Sequence, residues 1–280
     1  MEWSRIVPFL VLGALSVVLG AVRLRRGRGA APGFLEYLWT FLGVLLVAEW
    51  LSFPAAVWLF AFLSFLALRE YFSLVDLRLE DRWGVLGAYL AIPFMFYLVA
   101  IHWYGFFIVS IPVYVFLVIP FLVALGDPAG RGSVLSIGAI DFGLFLLVYC
   151  LGHLAYLARY SAWTALFLVL AVAACGAAAG ATRARGRAIG LLLGLAASLA
   201  LAIGLRAWTG MPISTAVFAG VLIPVLVQVG DFTIGVLERD LGIRTDDLEP
   251  GRGRIFHSLQ AYLFAAPIVF HYLRWDLGWK

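Results

Sequence analysis

The feature that most constrains the fold is a series of apolar segments of bilayer length. A helix that crosses the hydrocarbon core needs about 17 to 25 mainly apolar residues. Ten segments of roughly this length occur along the 280 residues: 6–22, 34–50, 53–68, 85–104, 106–125, 140–158, 162–181, 189–207, 213–229 and 259–275. Hydrophobic residues make up 64% of the chain and charged residues only 13%, which is outside the range of soluble domains.

These segments predict an all-α fold, a polytopic transmembrane helical bundle of about nine or ten spans. The count stays open because segments 34–50 and 53–68 adjoin at Ser52-Phe53-Pro54 and could form one span plus a re-entrant piece. We expect a single integral-membrane domain over residues 1–280.

Basic residues are unevenly distributed between the connections. Ten spans threaded from an outside N-terminus place fifteen of the 20 basic residues in inside connections and five outside, as the positive-inside rule requires. We therefore expect a multi-pass protein of the inner (cytoplasmic) membrane, with connections 69–83, 126–139, 182–188 and 230–258 in the cytoplasm. The basic cluster Arg23, Arg25, Arg26 and Arg28 follows segment 6–22 instead of preceding it, which favours an uncleaved first helix over a signal peptide.

The composition also excludes several classes of function. The net charge of +4 relates to membrane orientation and anionic lipid, and no basic-aromatic run predicts a nucleic-acid partner. Cys150 and Cys175 lie in apolar segments and are predicted to be buried residues of the core. The sequence contains no phosphate-binding P-loop, no nucleophile elbow and no zinc-ligand spacing.

The longest polar interval, residues 228–272, is the strongest candidate for a functional site. Asp231 ends an apolar segment, and several charged residues follow it before Pro250-Gly251-Arg252-Gly253-Arg254. An acid beside a bilayer-length apolar segment is costly and tends to mark a site. A Gly/Arg segment that opens a helix offers backbone N–H groups and guanidinium groups to phosphate. The alternative is a solvated cytoplasmic loop with ordinary interfacial arginines.

This interval resembles the C-terminal signature of the phosphatidate cytidylyltransferase (CDP-diacylglycerol synthase) family. That signature reads approximately G-D-x-x-x-S-x-x-K-R-D-x-G-x-K and then P-G-H-G-G-x-x-D-R-x-D. Eight residues match it in type and spacing: Gly230, Asp231, Arg239, Asp240, Gly242, Pro250, Gly251 and Gly253. The likeness covers residues 60–160 and 226–275, with the signature itself in 228–272, whereas residues 1–55 are less typical of the family.

The sequence departs from the signature at several positions. Gly235 stands where the pattern has Ser, and Glu238 where it has Lys. Arg252 and Arg254 replace the His and the last Gly. His257, Ser258 and Gln260 occupy the D-R-x-D positions, whose aspartates resemble metal ligands in the family.

The resemblance implies transfer of a cytidylyl group from CTP to phosphatidate, giving CDP-diacylglycerol and pyrophosphate in phospholipid biosynthesis. It implies Asp231 as the catalytic carboxylate and as a ligand of Mg²⁺, and Asp240, Asp246 and Asp247 are the candidates for a substitute second ligand. Phosphate would be bound by Arg239, Gly251, Arg252, Gly253 and Arg254. The expected partners are phosphatidate, CTP and a second copy of the chain in a homodimer. The alternative is a non-catalytic relative that binds anionic lipid or nucleotide.

Two further polar residues lie in or beside the sixth segment. Asp141 is predicted to open this span, and His153 lies inside it. His153 faces either a partner helix or a polar cavity, and a structural histidine with satisfied hydrogen bonds is the favoured interpretation.

Overall fold

The computed structural model describes residues 13–14, 16–17, 33–50, 52–130, 132–182, 186–242 and 253–279, without the side chains of 33–37 and 49–50. The described part is helical and contains no strand, so the predicted all-α class is confirmed there. Nine principal helices follow in chain order: α1 Gly33–Trp50, α2 Phe53–Phe72, α3 Arg82–Ala100, α4 Tyr104–Gly126, α5 Ser133–Tyr160, α6 Ala162–Ala181, α7 Arg187–Gly204, α8 Ile213–Asp240 and α9 Arg254–Asp276. α4 and α5 contain wider π-helical turns at Ser110–Val115 and Phe145–Cys150.

Within the described residues, seven helical segments are long and apolar enough to cross a membrane. They are Phe53–Phe72, Leu79–Ala100, Tyr104–Gly126, Ser133–Tyr160, Ala162–Ala181, Arg187–Gly204 and Ile213–Asp240. α9 is 23 residues long but more polar. The part of α1 whose side chains are described contains an apolar helix at Leu38–Ala48, and most of segment 6–22 lies outside the described residues. The helices indicate a multi-pass membrane protein, and the predicted count of nine or ten spans is not confirmed.

Two predicted boundaries are wrong. The span predicted at 213–229 continues as α8 to Asp240, and α9 begins at Arg254. Residues 230–240 and 254–258 of the predicted 230–258 loop are therefore helical. α5 begins at Ser133, so Asp141 lies eight residues inside the helix and does not open it. In both places the polar residues are compatible with a helix, and hydropathy therefore does not mark where the helix begins or ends.

Ser52 separates α1 from α2. Its side chain accepts a hydrogen bond from the backbone N–H of Ala55 at 3.3 Å, which satisfies one of the N–H groups that a helix start leaves unpaired. Pro54 occupies the first turn, where a missing N–H costs nothing. The structure thus forms two separate helices here, α1 ending at Trp50 and α2 beginning at Phe53.

One end of the bundle, here called the Arg78 end, is joined by a polar network. The Arg78 guanidinium contacts the carboxylates of Asp81 at 2.7 Å and Asp127 at 3.0 Å, and the Ser136 hydroxyl donates to Asp81 at 2.6 Å. The hydrogen bond to Asp81 raises the pKa of Arg78, which keeps this residue charged. Gly126 contributes to the contact, because a Cβ there would lie 1.9 Å from the carbonyl oxygen of Glu80. The α2–α3 and α4–α5 connections therefore lie side by side.

The opposite end, here called the Trp208 end, is marked by aromatic packing. Trp163 at the start of α6 stacks on Trp208 with ring centroids 5.5 Å apart. Thr215 near the start of α8 donates a hydrogen bond to Asp276 at the end of α9. Because α6 has 20 residues and rises about 1.5 Å per residue, its C-terminus and the α6–α7 connection lie at the Arg78 end.

This arrangement predicts the accessibility of single cysteines. Cys150 and Cys175 are buried and give a low labelling background. We expect Ala129→Cys, Ala188→Cys and Asp240→Cys to react with an impermeant maleimide from one side of oriented vesicles, the cytoplasmic side. Ala207→Cys should react only from the other side. Labelling of Ala188→Cys and Asp240→Cys from opposite sides would show that the topology is wrong.

Candidate functional site

The N-terminus of α9 is held by a carboxylate from another helix. Oε2 of Glu70, near the end of α2, accepts the backbone N–H of Ile255 at 2.6 Å and of Phe256 at 3.0 Å. N–H groups in the first turn of a helix have no partner within the helix, and the helix dipole favours a negative charge there. Glu70 is only 3% exposed, so this is a buried contact that fixes where α9 begins.

The Gly/Arg segment predicts a phosphate at this helix start, and the structure places a protein carboxylate on two of its N–H groups. Glu70 itself was missed. The sequence does contain an indication of its role, because Glu70 is an acid near the C-terminus of a helix, where the helix dipole disfavours a negative charge. Such a residue needs a partner elsewhere in the fold, and here the partner is α9.

α8 and α9 pack closely at Gly230. A Cβ at this position would lie 3.2 Å from the carbonyl oxygen of Gln260 and 3.3 Å from the ring of Phe264. A larger residue would push the two helices apart, which gives a physical reason for glycine before Asp231. Asp231 follows at this close approach and is half-buried.

The helical repeat of 3.6 residues places Asp231, Gly235 and Glu238 on one face of α8. Opposite them, α9 presents His257 and Gln260. We call these five residues the α8–α9 interface.

Glu238 and His257 form one contact across this interface. Nδ1 of His257 lies 2.7 Å from Oε1 of Glu238, and the Glu238 side chain is 4% exposed. These are the positions where the resembling signature has Lys and Asp. Two departures that look independent in sequence are therefore a single acid–base pair with its members exchanged between the helices.

Asp231 belongs to the same electrostatic environment. It lies on the same face of α8 as Glu238, near enough for the charges of Glu238 and His257 to act on its carboxylate. Oε1 of Gln260 is buried and has no hydrogen-bond partner. The interface thus combines a half-buried acid, an acid–base pair and an unpaired amide oxygen.

The structure separates Asp240 from Asp231. Nine residues along a helix correspond to about 13.5 Å of rise and half a turn of rotation, so the two carboxylates face opposite sides of α8. Arg239 is exposed, with Nη1 3.8 Å from where a Cβ of Gly235 would lie. This places its guanidinium over Gly235, one turn from Asp231.

The Gly/Arg segment is described only in part. Gly253 adopts φ +90°, a left-handed conformation that suits glycine, and Arg254 begins α9 half-buried. Gly251 and Arg252 lie outside the described residues. The structure therefore places two of the four predicted residues of this segment at the start of α9.

The described residues do not by themselves fit the expected Mg²⁺. No group of three or more His, Cys, Asp or Glu side chains in the described part could hold a metal ion. Mg²⁺ is usually bound by one or two carboxylates together with substrate phosphates, and here only Asp231 of the predicted pair lies at the interface. Asp246, Asp247 and Glu249, the other nearby acids, lie outside the described residues.

Comparison with known proteins gives one long and one short similarity. The chain is 28% identical over 239 residues to "Uncharacterized protein YnbB" of Escherichia coli (strain K12), which covers 77% of this chain and 78% of that protein. It is 33% identical over 60 residues to "Phosphatidate cytidylyltransferase" of Synechocystis sp., covering 21% of this chain and 20% of that protein. No model of a known protein family matches the chain.

The second similarity agrees in part with the resemblance found in the sequence. It covers a fifth of the chain, less than the predicted likeness over 60–160 and 226–275. It is a similarity between segments that covers 20% of the cyanobacterial protein.

The Glu70 contact predicts a stability change. Glu70→Ala leaves two buried N–H groups without an acceptor, which should lower the free energy of unfolding by about 1–3 kcal/mol, measured by thermal denaturation in detergent. Glu80→Ala is the control, since Glu80 is exposed ten residues away and its loss should cost less than about 0.5 kcal/mol. Equal effects of the two substitutions would contradict the capping role.

The exchanged pair predicts coupling between positions 238 and 257. Glu238→Lys and His257→Asp should each lower the melting temperature, because each removes the contact and leaves its partner unpaired. The double variant should recover most of the loss, with a coupling energy of about 0.5–3 kcal/mol. Ser258→Asp is the matched control. The Ser258 hydroxyl donates to the Arg254 carbonyl at 2.8 Å, so this change should not rescue Glu238→Lys. Simple additivity of the two single effects would count against a paired site.

Proposed function

We propose that the α8–α9 interface and the start of α9 transfer a cytidylyl group from CTP to phosphatidate. The contact between Glu238 and His257 carries the proposal. These two residues differ from the Lys and Asp of the signature, yet they form an acid–base pair beside Asp231. The short similarity to a phosphatidate cytidylyltransferase and the close approach at Gly230 support it.

The proposed site is accessible to lipid. Val229, Phe232 and Val236 recur at helical spacing on α8, and Phe232, next to Asp231, is 70% exposed. An apolar stripe on a helix of bilayer length faces acyl chains. A lipid phosphate could therefore approach Asp231 from within the membrane while a nucleotide approaches from the connections.

The reaction requires little covalent chemistry from the protein. A phosphate oxygen of phosphatidate attacks the α-phosphorus of CTP, and the bond from that phosphorus to the oxygen bridging the β-phosphorus breaks. Pyrophosphate leaves with the electron pair. Such transfers depend on positioning and on neutralising phosphate charge.

We propose that Arg239, Arg252 and Arg254 neutralise this charge, with Gly251 and Gly253 letting the backbone approach the phosphates. Asp231 is the proposed catalytic carboxylate.

A second candidate is a non-catalytic relative that binds anionic lipid or nucleotide. The Glu70 carboxylate on the N-terminus of α9 favours it, because those N–H groups are already occupied by an acid. The position of Asp240 on the far side of α8 also favours it, since the expected pair of carboxylates does not assemble.

The two candidates differ in turnover. We expect purified protein supplied with CTP, phosphatidate and Mg²⁺ to form CDP-diacylglycerol very slowly, because Asp231 lacks its expected partner carboxylate. Asp231→Asn should reduce product to the level of a reaction without protein. Asp76→Asn should not change the rate, since Asp76 is exposed in the α2–α3 connection.

Binding measured in parallel separates the outcomes. Retained binding of CTP or phosphatidate without product would overturn the transferase proposal and support the second candidate. Loss of both would overturn both. Product formation at the same rate by Asp231→Asn would show that the catalytic residue lies elsewhere.

A further inference from the structure

A second polar cluster lies at the Trp208 end, away from the proposed site. His102, Tyr104, Tyr156 and Arg274 come together there from α4, α5, α9 and the α3–α4 connection, and we call them the Tyr156 cluster. The ring of Tyr156 lies 5.7 Å from that of Tyr104 and 5.5 Å from that of His102. Cζ of Arg274 lies 3.7 Å from the centroid of the Tyr104 ring.

Three buried polar atoms of this cluster have no hydrogen-bond partner. They are the Tyr156 hydroxyl, Nε of Arg274 and Nδ1 of His102, three of seven such atoms in the described residues. Tyr156 is 0% exposed. Nearly all buried polar atoms in native proteins are paired, so three unpaired atoms in one place indicate a partner from outside the chain.

The backbone of His102 is a further unusual feature. Its φ is +60°, the only positive φ of a non-glycine residue among those the structure describes. Strained backbone of this kind is found preferentially at functional sites. Here it places the imidazole beside Tyr156.

Neighbouring histidines are satisfied and separate from these atoms. Nδ1–H of His153 donates to the carbonyl of Tyr149 at 2.8 Å, so its Nε2 accepts from Nε2–H of His271 at 3.2 Å. Nδ1 of His271 then accepts from the Tyr104 hydroxyl at 3.3 Å. The direction of this chain leaves both rings neutral, agrees with the predicted structural role of His153, and leaves Tyr156 and Arg274 to another partner.

The charge of the cluster determines the class of that partner. A cage of aromatic rings alone would suit a quaternary ammonium group. The cluster, however, already contains a cation, because the guanidinium of Arg274 lies over the Tyr104 ring, and this positive charge repels a second cation. The nearby carboxylate of Asp276 accepts from Thr215 on α8.

We propose that the Tyr156 cluster binds a phosphate group, through Arg274 Nε–H and the Tyr156 hydroxyl as donors. Guanidinium and hydroxyl donors match phosphate oxygens. Trp103 and Trp275 are 56% and 79% exposed at this end, and exposed tryptophans are typical of the headgroup layer. The phosphate comes from a lipid headgroup or from free phosphate.

The test measures thermal unfolding of the full-length chain in uncharged detergent. One arm adds inorganic phosphate, and the other adds phosphatidylglycerol, with diacylglycerol as the uncharged lipid control. We expect a saturable rise in Tm in at least one arm, and the responding arm identifies the source. Tyr156→Phe should weaken the apparent Kd about tenfold, since a hydrogen bond to a charged group is lost.

A matched variant separates binding from folding. Without ligand, Tyr156→Phe should not lower Tm, because its hydroxyl has no partner in the protein. Tyr149→Phe removes a hydroxyl that donates to the Ile108 carbonyl at 3.2 Å, so it should lower Tm yet leave the Kd unchanged. No rise in Tm with either probe, or an equal Kd for Tyr156→Phe and the unsubstituted chain, would overturn the proposal.

Discussion

The hydrogen bonds from the N-terminus of α9 to Glu70 are the interaction on which the candidate site depends. Each helix contributes an end that is unfavourable alone, since α2 carries an acid near its C-terminus and α9 begins with unpaired N–H groups. Together they satisfy each other in a buried position where water cannot compensate. His257 and Gln260 follow within the next two turns of α9, so this contact sets their height against Asp231 and Glu238 on α8.

The length of the apolar segments predicted where most helices lie. A segment that crosses a bilayer must be long and apolar, and it must satisfy its backbone hydrogen bonds internally, as a helix does. It did not predict where the helices end. α8 runs eleven residues past its predicted apolar limit at Val229, since Gln, Glu and Arg are compatible with helical backbone. The predicted count of nine or ten spans is not confirmed, for a related reason. α9 has polar residues such as His257 and Gln260 that face α8, and they lower its hydropathy although the helix is 23 residues long.

The site was predictable in part. Asp231 and the Gly/Arg segment were predicted as site residues because a charge beside a bilayer-length apolar segment costs free energy. The partnership of Glu238 and His257 could not be read from one sequence, because nineteen residues separate them and each differs from the pattern in its own way. Only the packing of α8 on α9 shows that the two positions touch. The contact of Glu70 with the start of α9 was harder still to predict, since 185 residues separate Glu70 from Ile255.

The departures from the signature are best understood together, as a relocation of charge. The pattern's Lys and Asp at positions 238 and 257 cancel each other, and its His and Gly at 252 and 254 add no fixed charge. This chain has Glu238 with His257, and arginine at both 252 and 254, which leaves a net charge of +1 when the imidazole is neutral. Compared with the pattern, positive charge is thus lost from the last turn of α8, at position 238, and gained in the segment that precedes and opens α9. Arg252 and Arg254 stand in the segment that the resemblance assigns to phosphate, so the sequence gains cationic groups there while it lacks the pattern's lysine at position 238. Loss of catalytic residues alone does not require such a gain, so the departures are a redistribution of charge and not only a loss of it.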